Sequence, residues 1–333
     1  MKDEIEHLLI VSLLEKSKFF LGDHDFTLEK LAGDASTRKY YRIVSGCKSF
    51  VGCLDEPTDG LESDFELITN YLQANHVGVP KIFVSYPEKG FMLQEDLGDD
   101  MLVNYLSKDY NEQMIIRLYK KAIDVMLAIQ NLSQNSLPDV IRNKKFDRKK
   151  FQFELDISTK YFLEKYLGYM MSEDERENYN EAHHILIKFL LDKEYVPVHR
   201  DFHSRNLMIY QNAICLIDYQ DMMLGSRFYD LVSLLEDTYF PLKNETKEIL
   251  CQYFMDKSGL SIDKKDFIRE YDFNSIQRIY KALGSFTYIY DTRKDDRYLK
   301  YISIGFSRLT SILEKYDEQG LFLGILYRAY HGN

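Results

Sequence analysis

Tryptophan is absent from this 333-residue chain and cysteine occurs four times. No stretch approaches the roughly 18 uninterrupted apolar residues that a membrane span needs. Cys47, Cys53, Cys215 and Cys251 show no C-x-x-C spacing, so neither a thiolate metal site nor a disulfide scaffold is indicated, and a reducing cytoplasm is the expected location. The one N-terminal apolar run, residues 8–14, follows Asp3, Glu4 and Glu6 and lacks the basic flank and small-residue cleavage site of a signal peptide. It predicts an amphipathic helix with Ile5, Leu8, Leu9 and Leu13 on its apolar face. A basic surplus is also missing: 43 Lys and Arg against 53 Asp and Glu leave a net charge of −10. Such a surface repels phosphate backbones and anionic lipids, so no nucleic-acid and no membrane partner is expected, and any anionic ligand must be held by local devices. Internal repeats and low-complexity tracts are absent.

What is present is an ordinary folding composition, 45% hydrophobic and 29% charged, with 26 Tyr and 21 Phe. The length favours two domains or lobes. Residues 26–31, 39–44 and 50–54 are dense in aromatic and β-branched side chains and predict three antiparallel strands. A helix over 62–73 with Phe65, Leu67, Ile68, Tyr71 and Leu72 as its apolar face follows, then strands over 82–85 and 91–94. Beyond the polar connector at 95–100 the pattern turns helical, over 114–132, 150–167 and 173–191. Short strands return at 196–198, 207–210 and 213–217, and helices again from 229 onward. This order predicts an α+β chain: a small β-rich N-terminal lobe over 1–97, a hinge, and a large helical C-terminal lobe over 98–333. The segment 142–150 holds six Lys or Arg in nine residues and reads as a solvated interhelical loop.

The chemistry is concentrated between 196 and 221. An apolar strand runs into a polar loop carrying Asp201, Asn206 follows five positions later, and Asp218 ends the next apolar strand. If 207–210 and 213–217 pair as a hairpin about Gln211 and Asn212, Asn206 comes beside Asp218. A carboxylate and a carboxamide oxygen suit Mg²⁺, which takes its remaining ligands from water and phosphates. Asp201 stays outside that pair, able to accept a proton. Singly, each residue is a common turn cap. As an ordered, strand-flanked set behind a β-rich lobe they match phosphoryl transfer, in which one Asp orients the acceptor hydroxyl while an Asn and a second Asp hold the metal.

These residues resemble the aminoglycoside phosphotransferase/choline kinase superfamily, with its His-x-Asp-x4-Asn loop and a metal-binding Asp after an apolar strand. Within it, the chain is similar to the bacterial anomeric N-acetylmuramate/N-acetylglucosamine kinases of cell-wall recycling, through Gly33-Asp34-Ala35-Ser36-Thr37-Arg38-Lys39-Tyr40-Tyr41-Arg42, Leu93-Gln94-Glu95-Asp96-Leu97-Gly98, the loop from His199 to Met208, and the run from Ile217 to Leu235. The resemblance implies a protein-kinase-like bilobal fold, ATP and Mg²⁺ as cofactors, and a small-molecule acceptor, either an amino sugar or an amino alcohol. Asp201 would be the catalytic base, and Asn206 and Asp218 the metal ligands. The backbone around Glu95 to Leu97 would receive adenine, and Ser36 and Thr37 would cradle phosphate in place of a glycine-rich loop.

One departure stands out. The third strand, Lys48-Ser49-Phe50-Val51-Gly52-Cys53-Leu54, has no lysine near its end, where protein kinases carry one. Lys48 comes too early, so either Arg38 or Arg42 supplies the positive charge instead, or Glu66 is only a solvated helix residue with no cationic partner. His203 and Arg205 either touch substrate or phosphate, or else pack and pair structurally. Asp221 either meets a sugar hydroxyl or supports the loop, and Asp230 caps or braces it. Residues 277–284 keep a family-like helix, whereas 287–298 diverge and leave the acceptor open. Their Tyr288, Tyr290, Asp291, Asp295 and Asp296 would suit either a sugar or a cage for a cation. The expected function is ATP- and Mg²⁺-dependent phosphorylation of the anomeric hydroxyl of N-acetylmuramate or N-acetylglucosamine. A choline, amino-alcohol or aminoglycoside kinase of the same fold and a non-catalytic nucleotide-binding module are the alternatives.

Overall fold

The computed structural model describes residues 2–17, 26–31, 38–59, 61–108, 111–191 and 193–332. In chain order the first half forms α1 (Lys2–Ser17), β1 (Thr27–Lys30), β2 (Lys39–Ser45), β3 (Lys48–Leu54), α2 (Asp64–Ala74), β4 (Ile82–Tyr86), β5 (Phe91–Glu95), α3 (Leu102–Lys108) and α4 (Glu112–Gln130). Then come α5 (Asp139–Arg142), α6 (Arg148–Ser158), α7 (Glu173–Leu191), β6 (Tyr195–Val198), β7 (Leu207–Tyr210), β8 (Ala213–Leu216) and β9 (Met223–Ser226). The chain finishes with α8 (Tyr229–Leu235), α9 (Asn244–Ser258), α10 (Lys264–Arg293), α11 (Ile302–Leu313) and α12 (Gly320–His331). They group into two compact units, one of Met1–Asp100 with Met208–Gln220, the other of Met101–Leu207 with Asp221–Asn333. No helix among the described residues is long and apolar enough to cross a membrane.

The first unit is built on a five-stranded antiparallel sheet in the order β1-β2-β3-β5-β4. Alternation in β2 and β3 sends Tyr41, Ile43 and Phe50 to one face, where they meet Phe91 and Leu93 of β5 and Ile10, Leu13 and Leu14 of α1. The buried stripe of α1 is therefore shifted from the expected one: Leu13 lies in it, but Leu8 is 64% exposed. Ser63 starts α2 with a capping box, its side chain accepting from Glu66 N while the Glu66 carboxylate accepts from Ser63 N at 2.9 Å. Glu66 is thus buried and committed to the helix start, not solvated, and Leu67, expected on the apolar face, is exposed.

β7 and β8 pair as the expected hairpin, with Gln211 and Asn212 at φ of 50° and 63°. Two consecutive left-handed residues make the primed turn that matches strand twist. The hairpin belongs to the first unit, where Leu216 N donates to Gly78 O at 2.8 Å. A Cβ on Gly78 would stand 2.9 Å from Ile214 O, so only glycine permits this approach.

The second unit is helical around the long α10, whose buried face packs with α6, α7, α11 and α12. The single helix expected over 150–167 is α6 continued by a wider π-helical stretch, Thr159–Tyr166. One strand escaped the sequence reading: β9 pairs antiparallel with β6, from Tyr195↔Ser226 to Val198↔Met223. This ribbon holds the start of the Asp201 loop.

Candidate active site

The loop from 199 to 206 leaves β6 with Arg200 in the left-handed region, φ 77°. Such a conformation costs energy for a side-chain-bearing residue and persists only where neighbours enforce it. One buried carboxylate does so at Arg200 itself, and a second holds the loop farther on. Asp230 of α8 accepts from His199 N at 2.7 Å and Arg200 N at 3.0 Å, the brace anticipated for it. Asp237 accepts from Ser204 N and Tyr239 N at 2.9 and 2.8 Å and from the Ser204 hydroxyl. Burial pushes both carboxyls above their ordinary range, Asp230 to about 6. Within the loop, His203 N and Asn206 Nδ2 each donate to Asp201 O at 3.0 Å.

This frame presents the Asp201 side chain, 31% exposed, to a cavity of about 270 Å³ lined by Arg200, Asp201, His203, Tyr239, Arg278 and Lys281 among others. Arg278 Nη2 and Lys281 Nζ converge on a single oxygen, Asp201 Oδ1, at 3.4 and 3.3 Å. Burial alone would raise the carboxyl. Lys281, Arg278 and Arg200 together outweigh it and hold Asp201 well below its ordinary value, ionised at any working pH.

His203 also lines the cavity. Burial holds its imidazole neutral, with its pKa down to about 3, and Nδ1 has no hydrogen-bond partner among the described residues. Its ring meets Tyr239 edge-on, centroids 5.1 Å apart. Arg205 stacks its guanidinium on Tyr239 and Tyr298 at 4.9 and 5.4 Å. Asp221 is exposed and pairs with Arg200 at 3.5 Å.

In the first unit, Arg38 precedes β2 at the end of the sheet where β3 finishes. Its Nε donates to Asp55 at 2.6 Å and its guanidinium lies 5.0 Å from the Phe65 ring. Arg42 clamps Asp96 and Asp99, at 2.8 and 2.9 Å. Burial opposes ionisation of Asp96, yet Arg42, Ser49 and Gly98 N hold its carboxyl below the ordinary value. Arg42 thereby orders the connector that begins at Glu95. Glu95 itself accepts from Tyr210 OH at 3.2 Å, and Leu97 is buried. Asp218 has φ of 62° and accepts from Gln220 Nε2 at 2.8 Å. The next residue, Tyr219, stacks on Phe65 at 4.9 Å and shares a 2.7 Å hydrogen bond with Thr69. Ser36 and Thr37 lie outside the described residues.

The residues that sequence reasoning missed are Arg278 and Lys281. They follow Asp201 by 77 and 80 positions. The available signal was two basic residues, i and i+3, inside a helix that is apolar around them: Ile276, Ile279, Tyr280 and Leu283 are all buried. A lone basic residue on such a face is costly unless something pairs with it.

The model of the phosphotransferase enzyme family matches residues 27–257, more than half of the chain. The chain belongs to this family. It is a kinase by membership, and the family's span contains the Asp201 loop. The N-acetylmuramate/N-acetylglucosamine kinase of Neisseria meningitidis serogroup B is 28% identical over 306 residues, 89% of this chain and 88% of the relative. Among solved structures, the choline kinase LicA of Streptococcus pneumoniae aligns at a TM-score of 0.60 with 16% identity, covering 93% of this chain and all of that one. An aminoglycoside phosphotransferase bound to ADP aligns at 0.59 with 13% identity, over 90% of this chain and 98% of that chain. These likenesses establish a kinase-like fold with a β-sheet N-terminal region and a helical C-terminal region.

Proposed function

We propose that this kinase transfers the γ-phosphate of ATP to the anomeric hydroxyl of an amino sugar, N-acetylmuramate or N-acetylglucosamine, in the cytoplasm. The observation that carries the reading is Asp201: an ionised carboxylate on a braced loop, facing a cavity and placed two residues after His199 in the family's order. The acceptor hydroxyl donates to Asp201 Oδ2, the oxygen that the two cations leave open. Its oxygen bonds to the γ-phosphorus, the bridging P–O bond to ADP breaks, and Asp201 takes the hydroxyl proton. A carboxylate held so far below its ordinary pKa is a weak base. That suffices, because in a loose transition state the proton leaves late and positioning carries most of the rate.

Asn206 and Asp218 are the proposed Mg²⁺ ligands. They supply oxygen donors of the type this ion prefers, and the anchoring of Asn206 through its amide nitrogen on Asp201 O supports a ligand role for its oxygen. The ion would neutralise phosphate charge. Ser36, Thr37 and Arg38 are proposed to meet the phosphates, and the backbone from Glu95 to Leu97 the adenine. Arg38 is favoured over Arg42, whose guanidinium is spent on two carboxylates of the connector.

A cationic acceptor fits the cavity poorly. Asp291 pairs with Lys165, Asp295 with Arg297 at 2.7 Å, and Tyr288 packs on Tyr161 at 4.8 Å. None of these lines the cavity, whereas Arg200, Arg278 and Lys281 do. A coupled ADP-release assay over N-acetylmuramate, N-acetylglucosamine, choline and an aminoglycoside should give turnover on the amino sugars, reduced about 10²–10⁴-fold in Asp201→Asn. Turnover on choline or the aminoglycoside alone, or a near-normal Asp201→Asn enzyme, overturns the reading.

A further inference from the structure

Cations crowd one side of Asp201 in the cavity. Arg278 and Lys281, one turn apart on α10, are only 11% and 14% exposed, and both address the same carboxylate oxygen. The other acidic residues lining the cavity are occupied. Glu236 accepts from Tyr271 at 2.6 Å and from Lys247 at 3.0 Å, and Asp237 holds Ser204 and the Tyr239 backbone. Arg200, the third cation, faces Glu154 at 3.4 Å and Asp221 at 3.5 Å. Two buried cations thus converge on one carboxylate oxygen, with Ser233 taking Arg278 Nε at 2.9 Å and Glu154 and Asp237 acting on the pair from farther off, an arrangement with room for a second anion. Burial draws the Lys281 ammonium below its ordinary pKa, with Asp201 and, less, Glu154 opposing the shift. The orphaned Nδ1 of His203 on the same cavity wall is a second sign that a polar ligand completes this site.

We propose that Arg278 and Lys281 form an anion subsite that reads a carboxylate on the acceptor, so that the enzyme prefers an acid sugar to its neutral counterpart. The inference rests on the reading of Asp201 as the base and of an amino sugar as the acceptor. N-acetylmuramate is N-acetylglucosamine carrying a lactyl ether, and that carboxylate supplies a second anion for Arg278 and Lys281.

The test compares kcat/KM for N-acetylmuramate and N-acetylglucosamine in the wild type, Lys281→Gln and Arg278→Gln, with Lys281→Arg as the conservative control. The expected wild-type ratio favours the acid sugar by about 10- to 100-fold, the effect of a charge-assisted hydrogen bond. It should fall toward unity in both Gln variants and recover in part in Lys281→Arg. A role limited to positioning Asp201 would lower both acceptors equally and leave the ratio in place, which overturns the subsite while sparing the amino-sugar reading. A wild-type ratio near unity overturns it as well. Turnover on neither sugar removes the acceptor reading and the subsite with it. Should Lys281→Gln fail to fold, Arg278→Gln makes the same comparison alone.

Discussion

Asp230 is pulled two ways: burial favours its neutral form, and two backbone N–H donors favour its charged form. Burial wins in part, lifting the carboxyl from an ordinary 3.8 to about 6. The sign for stability follows from linkage. A carboxyl whose folded pKa lies above its unfolded value contributes most to stability below pH 4 and loses that contribution as pH rises through about 6. Activity should run the opposite way. Below about pH 6 the protonated oxygen faces an N–H instead of accepting from it, the strained turn at Arg200 loosens, and kcat/KM should fall. Asp201 stays ionised throughout, so that limb belongs to Asp230. In Asp230→Asn the limb should vanish, with turnover at pH 8 down about 10-fold or more, since an amide can accept only one of the two bonds. pH–rate profiles of both enzymes check this, and an unchanged limb in the variant refutes it. Asp201 and Asn206 on one strand-flanked loop, with Asp218 just past the following hairpin, were legible as candidates because phosphoryl transfer asks for these residue types at such short spacing. Arg278 and Lys281 were not, because their partner lies some 80 residues away and a basic residue on a helix usually faces water.

At the level of elements, the clearest tension is at Gly284 in the middle of α10. Helix propensity says that Gly284→Ala should stabilise by about 1 kcal/mol. Packing says otherwise: a Cβ there would stand 2.5 Å from Ser158 Cα, a backbone atom at the end of α6 that cannot swing aside. Overpacking of this kind costs about 1–3 kcal/mol, so a net loss is expected. Because Gly284 lies one turn beyond Lys281, the shift of α10 should also reduce kcat. Urea unfolding with parallel steady-state kinetics measures both, and a more stable, fully active Gly284→Ala would show that α6 yields. The hairpin β7–β8 was readable from Gln211-Asn212 between two apolar runs. By contrast, β9 was not, since Met-Leu-Gly-Ser has no β-branched residue and forms a strand only because β6 offers it an edge. The α1 stripe was misplaced by a few residues because apolar residues at 8, 9, 10, 13 and 14 allow more than one helical face, and only packing against Tyr41 and Phe91 selects one.

For the whole molecule, a net charge of −10 sets the condition under which an anionic nucleotide is held. On the proposed function, local cations and the proposed Mg²⁺ would have to reverse the field where the phosphates bind. ATP with Mg²⁺ should therefore raise the melting temperature, by the equivalent of about 2.7 kcal/mol at 100 times Kd. ATP with EDTA should raise it much less. Asp218→Asn should lose the Mg²⁺-dependent increment, and retention of the full increment would remove Asp218 from the metal site. The first unit is also discontinuous in the chain. Its hairpin, Met208–Gln220, supplies the Tyr219 ring on Phe65, the Leu216 N–H to Gly78 O and the Ile209 N–H to Asp100 O. During synthesis residues 1–100 leave the ribosome about 110 positions before these partners do, a wait on the order of ten seconds at ordinary elongation rates. The surfaces at Phe65, Gly78 and Asp100 stay uncovered until the hairpin arrives, so the N-terminal unit is completed only after the C-terminal unit's first segment, Met101–Leu207, has been made.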